Sequence, residues 1–102
     1  MRDDSDDNPA DDPDAALVRA AQAGDLAAVG RLFDRHFDAV YGYLARQGAS
    51  PAEAEALTGD VFLRALAAPP GDRGPGRPVR AWLLGLARAR LADARRGGGP
   101  AS

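Results

Sequence analysis

Four prolines and three glycines crowd the ten residues from Pro69 to Pro78, and no helix or strand can run through them. Each proline removes a backbone donor, and each glycine raises the entropy lost on ordering. The segment therefore divides the chain. Whatever folds before it must stop near Pro69, and whatever follows must start again near Pro78.

On both sides of that break, apolar residues recur at steps of three and four, which is helical spacing. Asp12-Pro13 reads as a cap followed by proline at the first helical position. Leu17, Val18 and Ala21 form the apolar side of this first helix, and Gly24 ends it. Asp25 can cap a second helix over about 25–47. Its stripe is Val29, Leu32, Phe33, His36, Phe37, Val40, Tyr41 and Leu44, and Gly48 is its stop. Ser50-Pro51-Ala52-Glu53 is a capping box with proline just inside, the sharpest boundary in the chain. The third helix runs from there to about Ala67, with Leu57, Val61, Phe62, Ala65 and Leu66 apolar. A fourth helix, over about 78–96, carries Val79, Trp82, Leu83, Leu86, Ala87, Leu91 and Ala94 near one face. No segment alternates as a strand would. The fold class that follows is all-α, a compact bundle of four helices over 13–96. An acidic, disordered segment (1–12) precedes it and a flexible Gly-rich tail (97–102) follows.

Charge narrows the function. The formal net charge of −2 hides a separation along the chain. Residues 1–14 hold seven Asp against one Arg, while residues 72–96 hold seven Arg against two Asp. Local fields, not the net charge, then choose partners. Arg73, Arg77, Arg80, Arg88, Arg90, Arg95 and Arg96 make a basic last third, and Trp82 lies among them. A helix that buries one face and shows guanidinium groups on another suits a polyanion. An adjacent aromatic could stack on an unpaired base. The competing reading of Trp82 is a core residue, because Val79, Leu83 and Leu86 share its stripe. All thirteen basic residues are Arg, and a GC-rich coding sequence accounts for that together with the many Ala, Gly and Pro.

Several classes of activity find no support. There is no Cys, so neither a disulfide framework nor a thiolate site. His36 is the single His; on the apolar stripe it reads as packing rather than as a metal ligand. No nucleophile and base can be paired around it. Gly71, Gly74 and Gly76 lack the Lys of a phosphate loop. The expectation is a protein that is not an enzyme and needs no metal or cofactor. With no apolar run near the roughly 18 residues of a membrane span and no signal-like start, it is expected in the cytoplasm, away from membranes.

A set of short words then occurs in a particular order: Leu17 to Asp25, Phe33 to Tyr43, Ala52 to Glu55, Asp60 to Ala65, and Arg80 to Leu84. That order resembles region two of the bacterial sigma-70 family, extracytoplasmic-function group, across about residues 14–96. The resemblance implies a module that docks on the clamp helices of the largest subunit of core RNA polymerase. It further implies help in melting the promoter minus-ten element and capture of the non-template single strand. Carried over by position, Asp60, Val61, Phe62, Leu63 and Arg64 match the polymerase-binding word. Arg80, Trp82, Arg88 and the preceding loop match the strand-capturing part, and Arg73, Arg77, Arg90, Arg95 and Arg96 extend that basic set. An anti-sigma factor is a further candidate partner. The chain departs from the pattern at Leu66, where an aromatic is usual, at Val79, where Phe is common, and at Ala89, where Asn is common. The family's domain that reads the minus-thirty-five element lies outside the likeness.

Two functions stay open on this reading. One is a region-two module that initiates transcription. The other is a truncated sigma-like interaction protein that binds polymerase or an anti-sigma factor without initiating. A helix-turn-helix binder fits poorly, because the ten-residue connection before the last helix is too long and too rich in proline. Neighbours on a helix diverge by about 100°. Val61, Phe62 and Leu63 therefore cannot all enter one core, and one of them must face a partner or solvent.

Overall fold

In the computed structural model the described residues, 13–69, 71–74 and 76–97, form four helices and no strand. They are α1 (Pro13–Gln22), α2 (Leu26–Arg46), α3 (Pro51–Ala67) and α4 (Val79–Gly97). The all-α bundle read from the sequence is the fold. The helix over 78–96 is shifted by one residue at each end, and Asp25 and Gln47 flank α2 rather than belong to it. Residues 1–12 and 98–102, which include the expected cap Asp12, the acidic tail and the Gly-rich tail apart from Gly97, lie outside the described residues; Gly97 ends α4 rather than opening a tail.

The corners are built from short-range chemistry. Gly24 closes α1 with a positive φ of 99°, and its N–H donates to the Ala21 carbonyl while Asp25 N–H donates to Ala20. That pair of bonds defines the left-handed glycine stop. Asp25 then starts α2, its Oδ1 accepting from Ala27 N–H at 3.0 Å and Ala28 N–H at 3.2 Å. Gly48 repeats the device at the end of α2, with φ 98° and bonds from Gly48 to Ala45 and from Ala49 to Leu44. At Ser50 the capping box is complete: Ser50 N–H donates to Glu53 Oε1 at 2.9 Å, and Glu53 N–H donates to Ser50 Oγ at 3.2 Å. The Ser50 N–H on that carboxylate, then the Ser50 hydroxyl and in smaller measure the Arg95 charge, hold the Glu53 carboxyl below the usual carboxylate range.

α2 crosses the middle and packs on each of the other three helices. Its deepest residues, Leu32, Val40 and Leu44, meet Val61 of α3 and Val79 and Leu83 of α4 in one core. Thr58, also fully buried, satisfies its hydroxyl by donating to the Ala54 carbonyl at 2.6 Å. Two polar contacts hold α1. At its start, Asp14 accepts from His36 Nε2 at 2.7 Å and from Arg35 Nε at 2.8 Å. At its end, Gln22 Nε2 donates to the carbonyls of Ala65 (3.0 Å) and Ala68 (3.3 Å) at the end of α3. His36 is 3% exposed, and its Nδ1 is buried without a partner among the described residues. His36 is thus a core residue, as its place on the stripe implied, with a carboxylate from another helix on its outer nitrogen.

Candidate nucleic-acid interface

The segment between α3 and α4 is a series of tight turns. Asp72 N–H donates to Pro69, Gly74 N–H to Gly71 and Arg77 N–H to Gly74, each three residues back. One fastening joins it to α4: Trp82 Nε1 donates to Asp72 Oδ2 at 3.1 Å. Trp82 itself is 3% exposed and belongs to the core cluster. The structure thus places this residue, assigned by sequence to the DNA-binding set, inside the bundle. A base could stack on its face only if that core opened. Its visible work is to hold the turn that carries Asp72.

A groove of about 530 Å³ runs between that turn and α4. Gly85, Leu86, Ala89 and Ala92 line it along α4. Arg77, Arg88, Asp72 and Trp82 complete its lining. Arg88 is exposed and makes no hydrogen bond or ion pair among the described residues. A second cavity, about 610 Å³, lies on the other side of the turn against Ala15, Val18 and Gln22 of α1. Asp72 and Trp82 border both cavities and so form the partition between them.

The remaining arginines of the basic set do not share the groove. Arg73 donates to the Arg77 carbonyl and braces the turn from within. Arg80 reaches toward α2, with Nη2 3.5 Å from the Arg35 carbonyl. Arg90 turns to α3, where its Nε and Nη2 both lie 3.1 Å from Asp60 Oδ2. Arg95 donates to the Gln47 carbonyl at the end of α2, and Arg96 pairs with Asp93 on its own helix. The sequence assigned Asp60 and Arg90 to different partners; in the structure they face each other.

On α3 the word Asp60 to Arg64 separates by helical geometry. Val61 and Phe62 are buried, whereas Leu63 is 66% exposed with the exposed Arg64 beside it. Phe62 packs against Phe33 of α2 (ring centroids 4.9 Å apart), and Phe33 is itself 38% exposed. Sequence reasoning placed Phe33 on the core stripe and did not single out this surface. The available signal is spacing: Phe33, Phe37 and Tyr41 are four apart. Such a row drifts about 40° per step around a helix, so one end must leave the core. Arg35, which anchors Asp14 and lies beside Arg80, was likewise not singled out; nothing local in the sequence marks it. No group of three His, Asp or Glu side chains that could hold a metal occurs among the described residues. No helix is long and apolar enough to cross a membrane.

A four-helix module with one exposed apolar site on its third helix and a basic groove on its fourth fits the transcription-factor resemblance read from the sequence. Residues 32–99 match the family described as Sigma-70 region 2, and the chain belongs to that family, within its extracytoplasmic-function group. Among its relatives, the ECF RNA polymerase sigma factor BldN of Streptomyces coelicolor is 44% identical over 89 residues, 83% of this chain and 34% of BldN. The ECF RNA polymerase sigma factor SigL of Mycobacterium tuberculosis is 35% identical over 81 residues, 79% of this chain and 46% of SigL. The chain thus spans between a third and a half of the length of these curated relatives. No solved structure matches it.

Proposed function

We propose that this chain is a region-two module that binds core RNA polymerase and engages the promoter minus-ten element as its strands part. The observation that carries the reading is the open groove that Arg77 and Arg88 both line, together with Gly85, Leu86, Ala89 and Ala92 of α4. Guanidinium groups there neutralise phosphates without reading sequence. A protein that binds the separated strand stabilises the opened promoter by mass action, with no covalent step. Arg73 and Trp82 serve this by holding the turn, and Arg80 extends the basic surface toward α2. Arg90, Arg95 and Arg96 reach DNA only by exchanging their present partners.

On α3, Leu63 and Arg64, with Asp60 at the edge, form the docking site for the clamp helices of the largest polymerase subunit. An apolar residue exposed between charges on a helix suits a partner helix. An anti-sigma factor would compete for the same residues. Work with polymerase on promoter DNA takes place in the cytoplasm.

The burial of Trp82 and the internal pairing of Arg90 favour keeping a second reading, an interaction protein that occupies polymerase without initiating. Capture on core polymerase followed by run-off transcription separates the two. Transcripts from the full chain support the first reading, binding without transcripts supports the second, and absence of binding refutes the first and leaves the second only an anti-sigma factor as partner.

A further inference from the structure

Gly85 occupies the interior of α4, where glycine is the least favourable residue after proline. Its backbone does not need glycine, since it has no positive φ. The reason lies in its surroundings. A Cβ built at Gly85 would meet Arg77 Nη2 at 3.0 Å and Cζ at 3.9 Å. The other helical glycines differ: Gly30 and Gly59 face open space, and Gly42 meets only Arg46 of its own helix. At Gly85 alone among these, a guanidinium from a separate segment lies against bare helix backbone. That side chain is held at its other end too, because Arg73 donates to the Arg77 carbonyl. The turn carrying both is fastened through Asp72 to Trp82.

We infer that Gly85 is a positioning residue for strand binding: its missing side chain is the seat that keeps the Arg77 guanidinium over α4, in the groove that Arg88 also lines. The inference rests on the strand-binding reading of the groove and says how that groove is preorganised. An arginine already laid in place loses less rotamer freedom when a phosphate arrives. An alanine Cβ at position 85 nudges the guanidinium by a few tenths of an ångström, and a leucine takes its place. The end of an arginine is flexible, so the fold accommodates the change while the groove does not.

The test uses the full chain and a fluorescein-labelled single-stranded DNA oligonucleotide, with anisotropy titrations over a range of salt. Arg77→Ala tests the groove. It should weaken binding roughly five- to tenfold and reduce the slope of log affinity against log salt by about 0.7, one phosphate contact on a single strand. Gly85→Leu should give the same loss and the same change of slope, and should add nothing when combined with Arg77→Ala. Gly85→Ala should weaken binding about two- to threefold while raising Tm by about 4–8 °C, because alanine favours the helix. A merely structural glycine would not yield a more stable, weaker binder. If Arg77→Ala weakens binding and both Gly85 variants bind as the parent does, the seat is refuted and the groove reading stands. If Gly85→Leu weakens binding equally with and without Arg77, the glycine acts through the groove lining and the seat is again refuted. If Arg77→Ala binds as the parent does, the groove reading itself fails. Should Gly85→Leu not fold, the opposed shifts expected for Gly85→Ala still decide.

Discussion

Replacing Asp60 by Asn should loosen the fold slightly and tighten single-strand binding, because it releases Arg90. Both guanidinium contacts of Arg90 are 3.1 Å long and converge on one carboxylate oxygen, so the pair lacks the two-oxygen fork of the strongest ion pairs. At that distance the attraction in water is about 1.3 kcal/mol. The side chains are 42% exposed for Asp60 and 25% for Arg90, so screening and lost arginine rotamers remove much of it. A net contribution of about 0.5 kcal/mol remains. For a domain of this size that is a fall in Tm of about 2–4 °C. It also means that a phosphate recruiting Arg90 first gives up about twofold in affinity. Thermal melts of the parent, Asp60→Asn, Arg90→Ala and the double variant close a cycle that isolates the pair. Anisotropy on the same proteins at low salt should show Asp60→Asn binding about twofold tighter and Arg90→Ala weaker. A coupling near zero would mean that the pair does not form in solution. A coupling above about 2 kcal/mol would mean a desolvated bridge that neither residue can leave. Either result refutes the idea that the two charges are exchangeable between each other and their partners.

Three further outcomes are expected. Leu63→Asp should abolish capture of core polymerase and change stability by less than about 0.5 kcal/mol, since the side chain already faces water; a fold lost on this substitution would show Leu63 to be core. Asp72→Ala leaves the buried Trp82 Nε1 without its acceptor and unfastens the turn. It should cost about 1–3 kcal/mol and make residues 71–77 a preferred site of limited proteolysis, and unchanged cleavage there would count against the fastening. The Glu53 carboxyl is held below its ordinary range, so its contribution to stability is present above the unfolded-state value and is lost as pH falls through the lowered one. The Tm advantage of the parent over Glu53→Gln should therefore shrink between about pH 6 and pH 3, and a constant gap would remove the carboxylate from the capping box.

What the sequence makes legible here is what is local. Asp25, Gly24, Gly48 and the Ser50–Glu53 box act within a few residues of themselves, so their types announce where helices begin and end. The apolar stripes likewise foretell Leu32, Val40, Leu44 and Leu83 as core. The candidate site is less legible because its geometry depends on contacts across helices. Nothing near His36 says that a carboxylate 22 positions earlier will meet it, and nothing near Gly85 says that Arg77 will lie on it. The arginines of α4 illustrate the limit. Period and charge put them on one helix, but the neighbours, α2 for Arg80 and α3 for Arg90, decide which stay free to meet a polyanion. Trp82 follows its core reading rather than the stacking one. It is buried, and it still shapes the basic surface through the carboxylate it holds.

The first helix shows what its two polar anchors achieve that grease cannot. A ten-residue rod, roughly 15 Å long, could slide along an oily trough by one turn and lose little. Asp14 at one end and Gln22 at the other act as indexing pins, each matching a single socket, so slippage in either direction empties both at once. The wall that this rod supplies behind the proline-rich turn is thereby fixed lengthwise to within a fraction of a residue.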